Sequence, residues 1–471
     1  MLDPRYRTKI VGTLGPATDN PKVLHECLQA GLTIARLNTA HGTEEEKTRR
    51  IRSLRKAAQK LDRPVGLLVD LPGPKFRLAN LPGGERKLSR GELVKLEPSG
   101  GSDQKALPVR DTQIFASIAR GHSLHLADGT VTLRVVQREG ASIKTRVLVG
   151  GIVRSGSGIN LPDTDVRITI PTPSDRHWIA FAASQKAEWI GVSFVRTAED
   201  ITRVRHTLSR FSHTPRIIAK IEKQQALDNL DAVLQEADGL MVARGDLGVE
   251  TPLAQVPLAQ KRIISRANEM GKPVITATQM LESMVTRRWP TRAEVADVAN
   301  AVLDGSDAVM LSAETAIGQY PVEAIRMLRS VLTATEEGYP FRAILDSRVQ
   351  KSWSTSEDAI SRSSCWLAWD TDAKAIVISS HSAVLPYCVS RFRPPMPIIV
   401  LISNPSIYRQ LALSWGVHPV FVDRSAMGSL NPARNWLLTK RLARRGDRVV
   451  WVHSDDKRKD IVEGAIQLAA L

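Results

Sequence analysis

The chain has 471 residues, enough for about three domains of roughly 150 residues each, so a single small binding module is excluded. Hydrophobic residues make up 42% of the sequence and charged residues 24%, a globular composition that excludes intrinsic disorder of the whole chain. The formal net charge is +16, and the basic excess recurs on the polar faces of two predicted amphipathic helices, 43–63 and 434–448. Neither segment interleaves aromatic with basic residues, so we predict solvated helix faces and no nucleic-acid partner.

Cysteine placement and hydropathy favour a cytoplasmic protein. Cys27, Cys365 and Cys388 lie far apart and form no CxxC pair, which argues against a disulfide scaffold and against a structural zinc site. The N-terminal segment has no apolar stretch behind its basic residues, and no run approaches the ~18 apolar residues that cross a bilayer. We therefore expect a cytoplasmic location and no membrane partner.

The first predicted elements alternate strand and helix. Apolar runs of strand type stand at 9–14, 32–37 and 65–70. The first two lead into helices, whose starts are marked by Pro21 and by Thr43 with Glu46 three residues later, the spacing of a capping box. These are βα units.

The pattern changes after residue 72 and then returns. Residues 73–168 are Gly-rich, alternate with period two and contain no convincing helix, which predicts an inserted β domain. Strand–helix alternation resumes with runs at 189–193, 216–221, 239–243, 273–277 and 307–312. Three strands before the insertion and five after it predict a (β/α)8 TIM barrel, whose active site is built at the C-terminal ends of its strands.

A separate α/β pattern begins near residue 341. Its predicted strands stand at 375–379, 397–402, 418–422 and 448–452. The predicted fold class is therefore α/β with three parts. These are a (β/α)8 catalytic barrel (1–72 and 169–340), an inserted β-barrel lid domain (73–168) and a C-terminal open-sheet α/β regulatory domain (341–471).

Charged or hydroxyl side chains follow six of the eight predicted barrel strands, and parallel strands deliver them to one face. They are Arg36, Asn38, His41, Asp70, Lys220, Glu222, Arg244, Asp246, Thr278, Ser312 and Glu314. Glu222 and Asp246 form a carboxylate pair of the kind that holds Mg²⁺, with substrate and water in the remaining positions. Beside them, the Lys220 ammonium can neutralise charge developing on a phosphoryl group or an enolate. Arg36 offers a planar fork for phosphate or carboxylate.

Several segments closely resemble the pyruvate kinase family. They are TKIVGTLGPAT (8–18), ARLNTAHG (35–42), 219–250, GKPVITATQMLESM (271–284) and 290–321. The resemblance runs nearly end to end and weakens beyond residue 340. It implies a phosphotransferase of glycolysis that moves the phosphoryl group of phosphoenolpyruvate to ADP, giving pyruvate and ATP. It also implies Mg²⁺ or Mn²⁺ as cofactor and a homotetramer.

The resemblance also implies roles for individual residues. Lys220 would stabilise the transition state, Glu222 and Asp246 would bind Mg²⁺, and Arg36 would grip the substrate phosphate. The residues implied to bind substrate or to act in catalysis are Arg36, Lys220, Gly245, Asp246, Thr278, Ser312 and Glu314. The positions implied to face the nucleotide are Thr13, Pro16, Asn38, His41 and Arg77.

The chain departs from the family pattern at the monovalent-cation site. Asn38 and Asp70 are retained, but Ala40 replaces a hydroxyl residue and Leu71 replaces a threonine. Lys75 stands where potassium-dependent members carry glutamate. Because a tethered ammonium brings the positive charge that K⁺ would supply, we expect activity without K⁺.

Two more departures concern the lid and the C-terminal domain. Ser157 stands where members carry a lid lysine that reaches the nucleotide phosphates, and Arg154 is a candidate to compensate. The family's effector loop is replaced by a segment with Ser379, Ser380 and Ser382. A sugar bisphosphate held in the usual way is not expected, whereas a phosphorylated-metabolite effector with one phosphate remains open.

Two alternative functions are compatible with parts of the sequence. The first is another Mg-dependent barrel enzyme acting on pyruvate enolates, such as an aldolase, which has no reason to carry the inserted domain. The second is a catalytically weakened relative that acts as a binding or scaffold protein. Retention of Lys220, Glu222, Asp246 and Thr278 weighs against it. The effector and the preferred nucleoside diphosphate are left open by the sequence.

Overall fold

The structure is a computed structural model that describes residues 6–101, 103, 105–166, 168–349, 355–455 and 463–471. Within these ranges, no helix is both long enough and apolar enough to span a membrane. The predicted barrel, lid and C-terminal sheet are all present. The domain boundaries given above remain predictions.

Strands and α-helices are numbered separately in chain order. The strands are β1 (Lys9–Thr13), β2 (Ile34–Asn38), β3 (Gly66–Asp70), β4 (Phe76–Arg77), β5 (Glu85–Leu88), β6 (Leu93–Pro98), β7 (Leu107–Val109), β8 (Ser123–Leu126), β9 (Val131–Glu139), β10 (Ser142–Val149), β11 (Gly151–Arg154), β12 (Gly158–Asn160), β13 (Trp189–Val192), β14 (Arg216–Ile221), β15 (Gly239–Ala243), β16 (Val274–Ala277), β17 (Ala308–Leu311), β18 (Ile376–Ser379), β19 (Ile398–Ile402), β20 (Val417–Phe421), β21 (Arg448–Asp455) and β22 (Glu463–Ala470). The α-helices are α1 (Pro21–Ala30), α2 (Glu44–Lys60), α3 (Ile114–Ser117), α4 (Pro173–Ser184), α5 (Ala198–Leu208), α6 (Gln224–Asp228), α7 (Leu230–Glu236), α8 (Arg244–Glu250), α9 (Val256–Glu269), α10 (Arg292–Leu303), α11 (Ala313–Ala316), α12 (Pro321–Glu337), α13 (Phe341–Val349), α14 (Ser356–Asp370), α15 (Val384–Ser390), α16 (Pro405–Gln410) and α17 (Asn431–Thr439).

Eight parallel strands close into a barrel in the order β1, β2, β3, β13, β14, β15, β16, β17 and back to β1. Each lies within two residues of its predicted run, so the TIM-barrel prediction is confirmed. The strands are buried on both faces, which is why they read as apolar runs rather than as alternating patterns. The barrel interior is filled by Val11, Ile34, Leu68, Trp189, Ile218, Met241 and Ile275.

Predicted helix starts carry the expected caps. The Thr43 hydroxyl accepts a hydrogen bond from the Glu46 backbone amide at 3.3 Å, and the Glu46 carboxylate accepts from the Thr43 amide at 3.2 Å. Pro21 is the first residue of α1, whose N-cap Asn20 accepts from the Lys22 amide. Both helices lead away from strand ends that face the site described below.

The inserted lid contains a seven-stranded sheet, in the order β4, β12, β8, β9, β10, β6, β7, and a pair formed by β11 and β5. Its single described α-helix, α3, has four residues, consistent with the predicted β domain. Barrel side chains hold both of its hinges. Asp175 accepts from the Gly73 amide at 3.0 Å, and Arg196 donates to the carbonyls of Val166 (3.0 Å) and Ile168 (2.5 Å).

The C-terminal sheet has the order β20, β19, β18, β21, β22. Its four predicted strands are present and parallel, but β22 pairs antiparallel with β21 and was not predicted. The predicted helix 434–448 was wrong in its second half, because α17 ends at Thr439. Arg441 has φ of 57°, and the Leu442 amide bonds back to the Leu437 carbonyl at 3.0 Å, which closes the helix with a Schellman-type turn.

The C-terminal domain packs against the N-terminal ends of the barrel strands. Ala412 and Leu413 join the apolar cluster of the barrel interior. Buried Arg393 pairs with Asp307 at 2.9 Å, just before β17. This end of the barrel is thus covered, and the C-terminal ends of the strands remain accessible.

Candidate active site

Asp70 joins two cations where β2, β3 and β14 end. Its Oδ2 atom accepts from Arg36 Nε at 2.8 Å and lies 2.6 Å from the Arg36 Nη2 atom. Its Oδ1 atom is 3.3 Å from Lys220 Nζ, which is also 2.8 Å from Glu222 Oε1. The prediction that these strand ends meet at one face is therefore confirmed for these four side chains.

Lys220 stays charged despite its burial. Its ammonium donates to the Ser193 hydroxyl at 2.8 Å, and that hydroxyl donates to the Leu71 carbonyl at 2.7 Å. Burial alone would lower the pKa of Lys220, but the carboxylates of Asp70, Glu222 and Asp246 raise it above its ordinary value. Burial opposes ionisation of Asp70 in the same way, but Lys220 and Arg36 hold the pKa of Asp70 below its usual range.

Glu222 and Asp246 form the carboxylate pair expected at a divalent-metal site. Burial raises the pKa of Glu222, and the charge of Asp246 adds to this rise against the opposing effect of Lys220. Glu222 Oε2 accepts from the Phe194 amide at 2.8 Å, while Asp246 has no side-chain hydrogen bond or ion pair within the described residues. Two carboxylates whose charges oppose each other fit Mg²⁺, which takes oxygen ligands and relieves that repulsion.

Nothing in the described ranges groups three or more His, Cys, Asp or Glu side chains as a complete metal cage. A metal here would therefore complete its coordination with substrate oxygens and water. Mg²⁺ commonly binds in this way, through one or two carboxylates.

Thr278 occupies a constrained turn after β16. Its φ is 68° and that of Gln279 is 55°, left-handed values that are uncommon for residues other than glycine. Arg244 Nη2 donates to the carbonyls of both residues, at 2.7 Å and 3.1 Å. The Thr278 hydroxyl accepts from the Gly245 amide at 2.7 Å, so the start of α8 and this turn share one edge of the site.

Glu314 is buried beneath the end of β17. Its carboxylate accepts from the amides of Ser312 (2.6 Å) and Leu281 (3.1 Å), and burial raises the pKa of Glu314. The Ser312 side chain is half-buried beside it. The carboxylate therefore braces the backbone at Ser312 and at the start of the loop after β16.

Residues predicted to face the nucleotide divide into two groups. The Thr13 hydroxyl is buried, accepts from Arg36 Nη1 at 3.0 Å and donates to the Leu311 carbonyl at 3.0 Å, so it braces Arg36. Pro16 and His41 are exposed at the rim, and Asn38 and Arg77 are half-buried there.

The remaining rim contacts involve Asn38, His41 and the lid. Asn38 Oδ1 accepts from the Ala40 amide at 3.0 Å, and Arg77 donates to the Gly156 carbonyl at 2.8 Å. Partial burial lowers the pKa of His41, and the charges of Lys75 and Arg77 lower it further. Lys75 and Arg77 therefore bring positive charge close to His41.

Asn38 and Asp70 are the residues retained from the family's monovalent-cation site, and two side-chain cations already occupy the surroundings of Asp70. Asp70 is contacted by both Arg36 and Lys220, as described above. Lys75 is exposed, and its side chain has no hydrogen bond or ion pair among the described residues. The structure thus brings Lys75 near His41 rather than into direct contact with Asp70.

Ser193 and Phe194 were missed from the sequence. They follow β13, whose run ends without a charged residue, so that strand end was not included among the candidates. The available signal was the hydroxyl of Ser193 at the same position as the other strand-end polar groups. The Phe194 contribution comes from its backbone amide at φ of 59°, which no residue pattern indicates.

Comparison with known proteins agrees with this geometry. A family model described as "Pyruvate kinase, barrel domain" matches residues 5–325, and one described as "Pyruvate kinase, alpha/beta domain" matches residues 358–462. The chain belongs to the pyruvate kinase family. It is a phosphotransferase whose substrates are phosphoenolpyruvate and ADP.

Three relatives span most of the chain, and each is called pyruvate kinase. The protein of Geobacillus stearothermophilus is 43% identical over 88% of this chain and 71% of its own length. That of Thermococcus litoralis is 41% identical over 90% of both chains. That of Methylorubrum extorquens is 39% identical over 95% of this chain and 93% of its own. Nothing in these matches favours the aldolase or scaffold alternatives.

Proposed function

We propose that the side chains around Lys220 carry the transfer of the phosphoryl group from phosphoenolpyruvate to ADP. The observation that supports this most strongly is the fully charged Lys220 ammonium held among Asp70, Glu222 and Asp246. A preorganised cation in a low-dielectric site stabilises charge that develops in the transition state without reorganising. Arg36, which is fixed by Asp70 and Thr13, binds the substrate phosphate together with Lys220.

Glu222 and Asp246 bind Mg²⁺, or Mn²⁺ in its place, in a family whose members generally use Mg²⁺ and K⁺. A metal held there would supply a Lewis acid able to neutralise charge on phosphoryl and enolate oxygens. The protein's part is to hold Glu222 with the Phe194 amide and Lys220, and to present Asp246 with its lone pairs free of hydrogen bonds.

The carboxylate of phosphoenolpyruvate binds the amides of Gly245 and Asp246 and the Thr278 hydroxyl. The Gly245 amide donates to the Thr278 hydroxyl at 2.7 Å, so it already points toward this edge of the site. The substrate carboxylate would replace the Thr278 hydroxyl as its acceptor. Thr278, Ser312 and Glu314 then form the side of the site from which a proton reaches the enolate through water. Burial keeps the pKa of Glu314 raised, which suits a group that can hold a proton.

ADP lies toward the lid, against Pro16, Asn38, His41 and Arg77. Ser157 lies in this part of the lid, where its hydroxyl accepts from the Arg154 amide at 2.9 Å. The Arg154 guanidinium pairs with Glu85 at 3.1 Å and is exposed. Arg77, rather than Arg154, is therefore the cationic group offered to the nucleotide phosphates, and the lowered pKa of His41 makes its imidazole a neutral hydrogen-bonding group beside it.

K⁺ is not required in this proposal. Asp70 already contacts two cations, and Lys75 adds a positive charge close to His41, at the lid hinge. Ala40 offers no hydroxyl, and the Asn38 side-chain oxygen already accepts a hydrogen bond from the Ala40 backbone amide.

A homotetramer and a phosphorylated-metabolite effector complete the proposal. Support for self-association comes from strongly exposed apolar side chains on the barrel surface, Leu253 (74%), Leu258 (68%), Trp289 (68%) and Ile317 (64%). Support for an effector site comes from the hydroxyls of Ser379, Ser380 and Ser382 at the end of β18. Ser379 accepts from the Trp451 indole at 3.2 Å, so an effector phosphate would have to compete with this contact.

The metal assignment is tested by Mg²⁺ titration of Glu222→Gln and Asp246→Asn. Each substitution removes half of the carboxylate charge offered to the metal, so we expect the half-saturating Mg²⁺ concentration to rise by about tenfold or more. Turnover is followed with phosphoenolpyruvate and ADP by coupled reduction of pyruvate. Titration curves identical to that of the natural protein in both variants would place the metal elsewhere.

A further inference from the structure

Glu250, the last residue of α8, links the lid to the edge that carries the carboxylate pair. Its Oε1 atom accepts from Asn160 Nδ2 of the lid at 2.9 Å, and its Oε2 atom accepts from Lys223 Nζ of the barrel at 3.0 Å. The Glu250 side chain is buried and that of Lys223 nearly so. A buried carboxylate with two fixed donors holds its geometry, because losing either donor would leave its charge uncompensated.

Both carboxylates of the proposed metal site are connected to Glu250 through neighbouring residues. Asp246 is carried by the same seven-residue helix, α8, and Glu222 immediately precedes Lys223. The Lys223 ammonium lies 5.5 Å from the centre of the Phe194 ring, and the Phe194 amide donates to Glu222. Glu250 is therefore connected to both proposed metal ligands, to Asp246 along α8 and to Glu222 through Lys223.

On the lid side, Asn160 ends β12, the strand next to β4 and β8. Gly158 pairs with Arg77 on β4, so the strand that reaches Glu250 also positions a residue of the nucleotide rim. Away from the two hinge segments, Asn160–Glu250 is the single side-chain hydrogen bond between lid and barrel in the described part of the chain. It is therefore the side-chain hydrogen bond that joins the lid to the barrel at a point away from the hinges.

We propose that Glu250 is a positioning residue that couples the lid to the metal-binding edge through Asn160 and Lys223. This inference rests on the proposed metal site at Glu222 and Asp246. Since coupling between two sites is reciprocal, metal binding stabilises the Asn160–Glu250 contact and that contact strengthens metal binding. Glu250 itself touches no substrate.

The first test separates ADP binding from chemistry with Asn160→Ala, Glu250→Gln and the double variant. Asn160→Ala removes a hydrogen bond to the charged Glu250 carboxylate, so we expect the lid to hold ADP less tightly. Since such a bond contributes free energy equivalent to a tenfold change or more, the KM for ADP should rise about tenfold. The kcat and the KM for phosphoenolpyruvate should change less than about threefold, because the barrel site stays intact. Glu92→Gln is the matched control, since Glu92 is a lid carboxylate paired with Arg86 at 2.7 Å on the lid itself.

The second test reads the coupling without turnover. Mn²⁺ binding is measured by electron paramagnetic resonance, and amide hydrogen exchange of β12 is compared with and without Mn²⁺. We expect Mn²⁺ to slow exchange at residues 158–160 in the natural protein and in Glu92→Gln, but not in Asn160→Ala. Glu250→Gln should weaken Mn²⁺ binding, and the double variant should be no worse than Glu250→Gln alone.

The outcomes distinguish a failure of the coupling from a failure of the metal assignment. Additive effects in the double variant, or an unchanged response of β12 to Mn²⁺ in Asn160→Ala, overturn the coupling. Asp246→Asn separates this from a failure of the metal site itself. If Asp246→Asn binds Mn²⁺ as the natural protein does, the metal assignment fails, and the coupling fails with it. If Asp246→Asn loses Mn²⁺ but Asn160→Ala behaves as the natural protein, only the coupling fails.

Discussion

Ion pairs are buried at both ends of the same barrel, but the two ends differ in whether every charged group has a partner within the chain. At the N-terminal end, Asp307 accepts from Arg393 (2.9 Å) and the Trp415 amide (3.3 Å) through Oδ1, and from the Val274 amide (3.0 Å) through Oδ2. Arg393 donates further to Asn268 Oδ1 at 2.6 Å. All of these partners belong to the chain itself.

At the C-terminal end, the chain does not supply a partner for every carboxylate. The Asp246 side chain has no hydrogen bond or ion pair within the described residues, and its charge adds to the rise that burial causes in the pKa of nearby Glu222. Arg36 and Lys220 each pair with Asp70 yet lie where a substrate anion can also reach them. Burial of charge alone therefore does not identify a functional site. The functional end is the one where the protein leaves charge for a ligand to balance.

The largest effect expected from this comparison is on stability, at the closed end. Arg393→Met leaves Asp307 buried without its cation, and breaking such a pair costs about 3–5 kcal/mol of unfolding free energy. We expect kcat of the remaining folded protein to be nearly unchanged. Denaturant unfolding and turnover of the same sample measure the two.

The matched control is Arg266→Met, which breaks more exposed pairs with Asp231 and Glu269 and should cost less than about 1 kcal/mol. Equal losses of stability in Arg393→Met and Arg266→Met would contradict the difference drawn between buried and exposed pairs.

The next effect is on catalysis, at the open end. Lys220→Met removes the preorganised cation, and we expect kcat to fall about 100-fold or more while the circular dichroism spectrum is preserved. Lys374→Met, which removes an exposed lysine of the C-terminal domain, is the control and should leave kcat unchanged. Near-normal turnover by Lys220→Met would remove that residue from its proposed role.

Much of the fold could be predicted from sequence because barrel strands are buried on both faces and read as apolar runs. The strand β22 and the end of α17 could not, because one depends on pairing with β21 and the other on a left-handed backbone at Arg441. The polar residues of the site could be predicted because the C-terminal ends of parallel barrel strands meet at one face. Their partners could not, since the placement of Asp70 between Arg36 and Lys220 depends on side-chain conformation.

A smaller effect tests a residue that the sequence did not reveal. Ser193→Ala removes the hydroxyl that accepts from Lys220 at 2.8 Å. A hydrogen bond to a charged group contributes about 1.5–3 kcal/mol, but Asp70 and Glu222 still hold the ammonium, so we expect a loss of about fivefold to tenfold in kcat. Steady-state kinetics with both substrates measure it, and Ser193→Thr should restore much of the loss.

The smallest effect concerns K⁺. A monovalent cation would balance the negative charge of Asp70, but Arg36 and Lys220 already pair with that carboxylate. Lys75 adds a tethered positive charge close to His41. A tethered cation is present at an effectively fixed local concentration, so we expect added K⁺ to change kcat of the natural protein by less than about twofold. The assay is run in tetramethylammonium buffer with and without K⁺.

Lys75→Glu shows whether Lys75 itself carries this independence. The substitution exchanges a positive for a negative charge at the lid hinge, close to His41. If Lys75 replaces K⁺, the variant should become dependent on K⁺ and the natural protein should not. If Arg36 and Lys220 suffice to balance Asp70, both proteins stay independent of K⁺, and Lys75 is then a solvent-facing residue. Strong K⁺ activation of the natural protein would instead show that Asn38 and Asp70 still bind a cation.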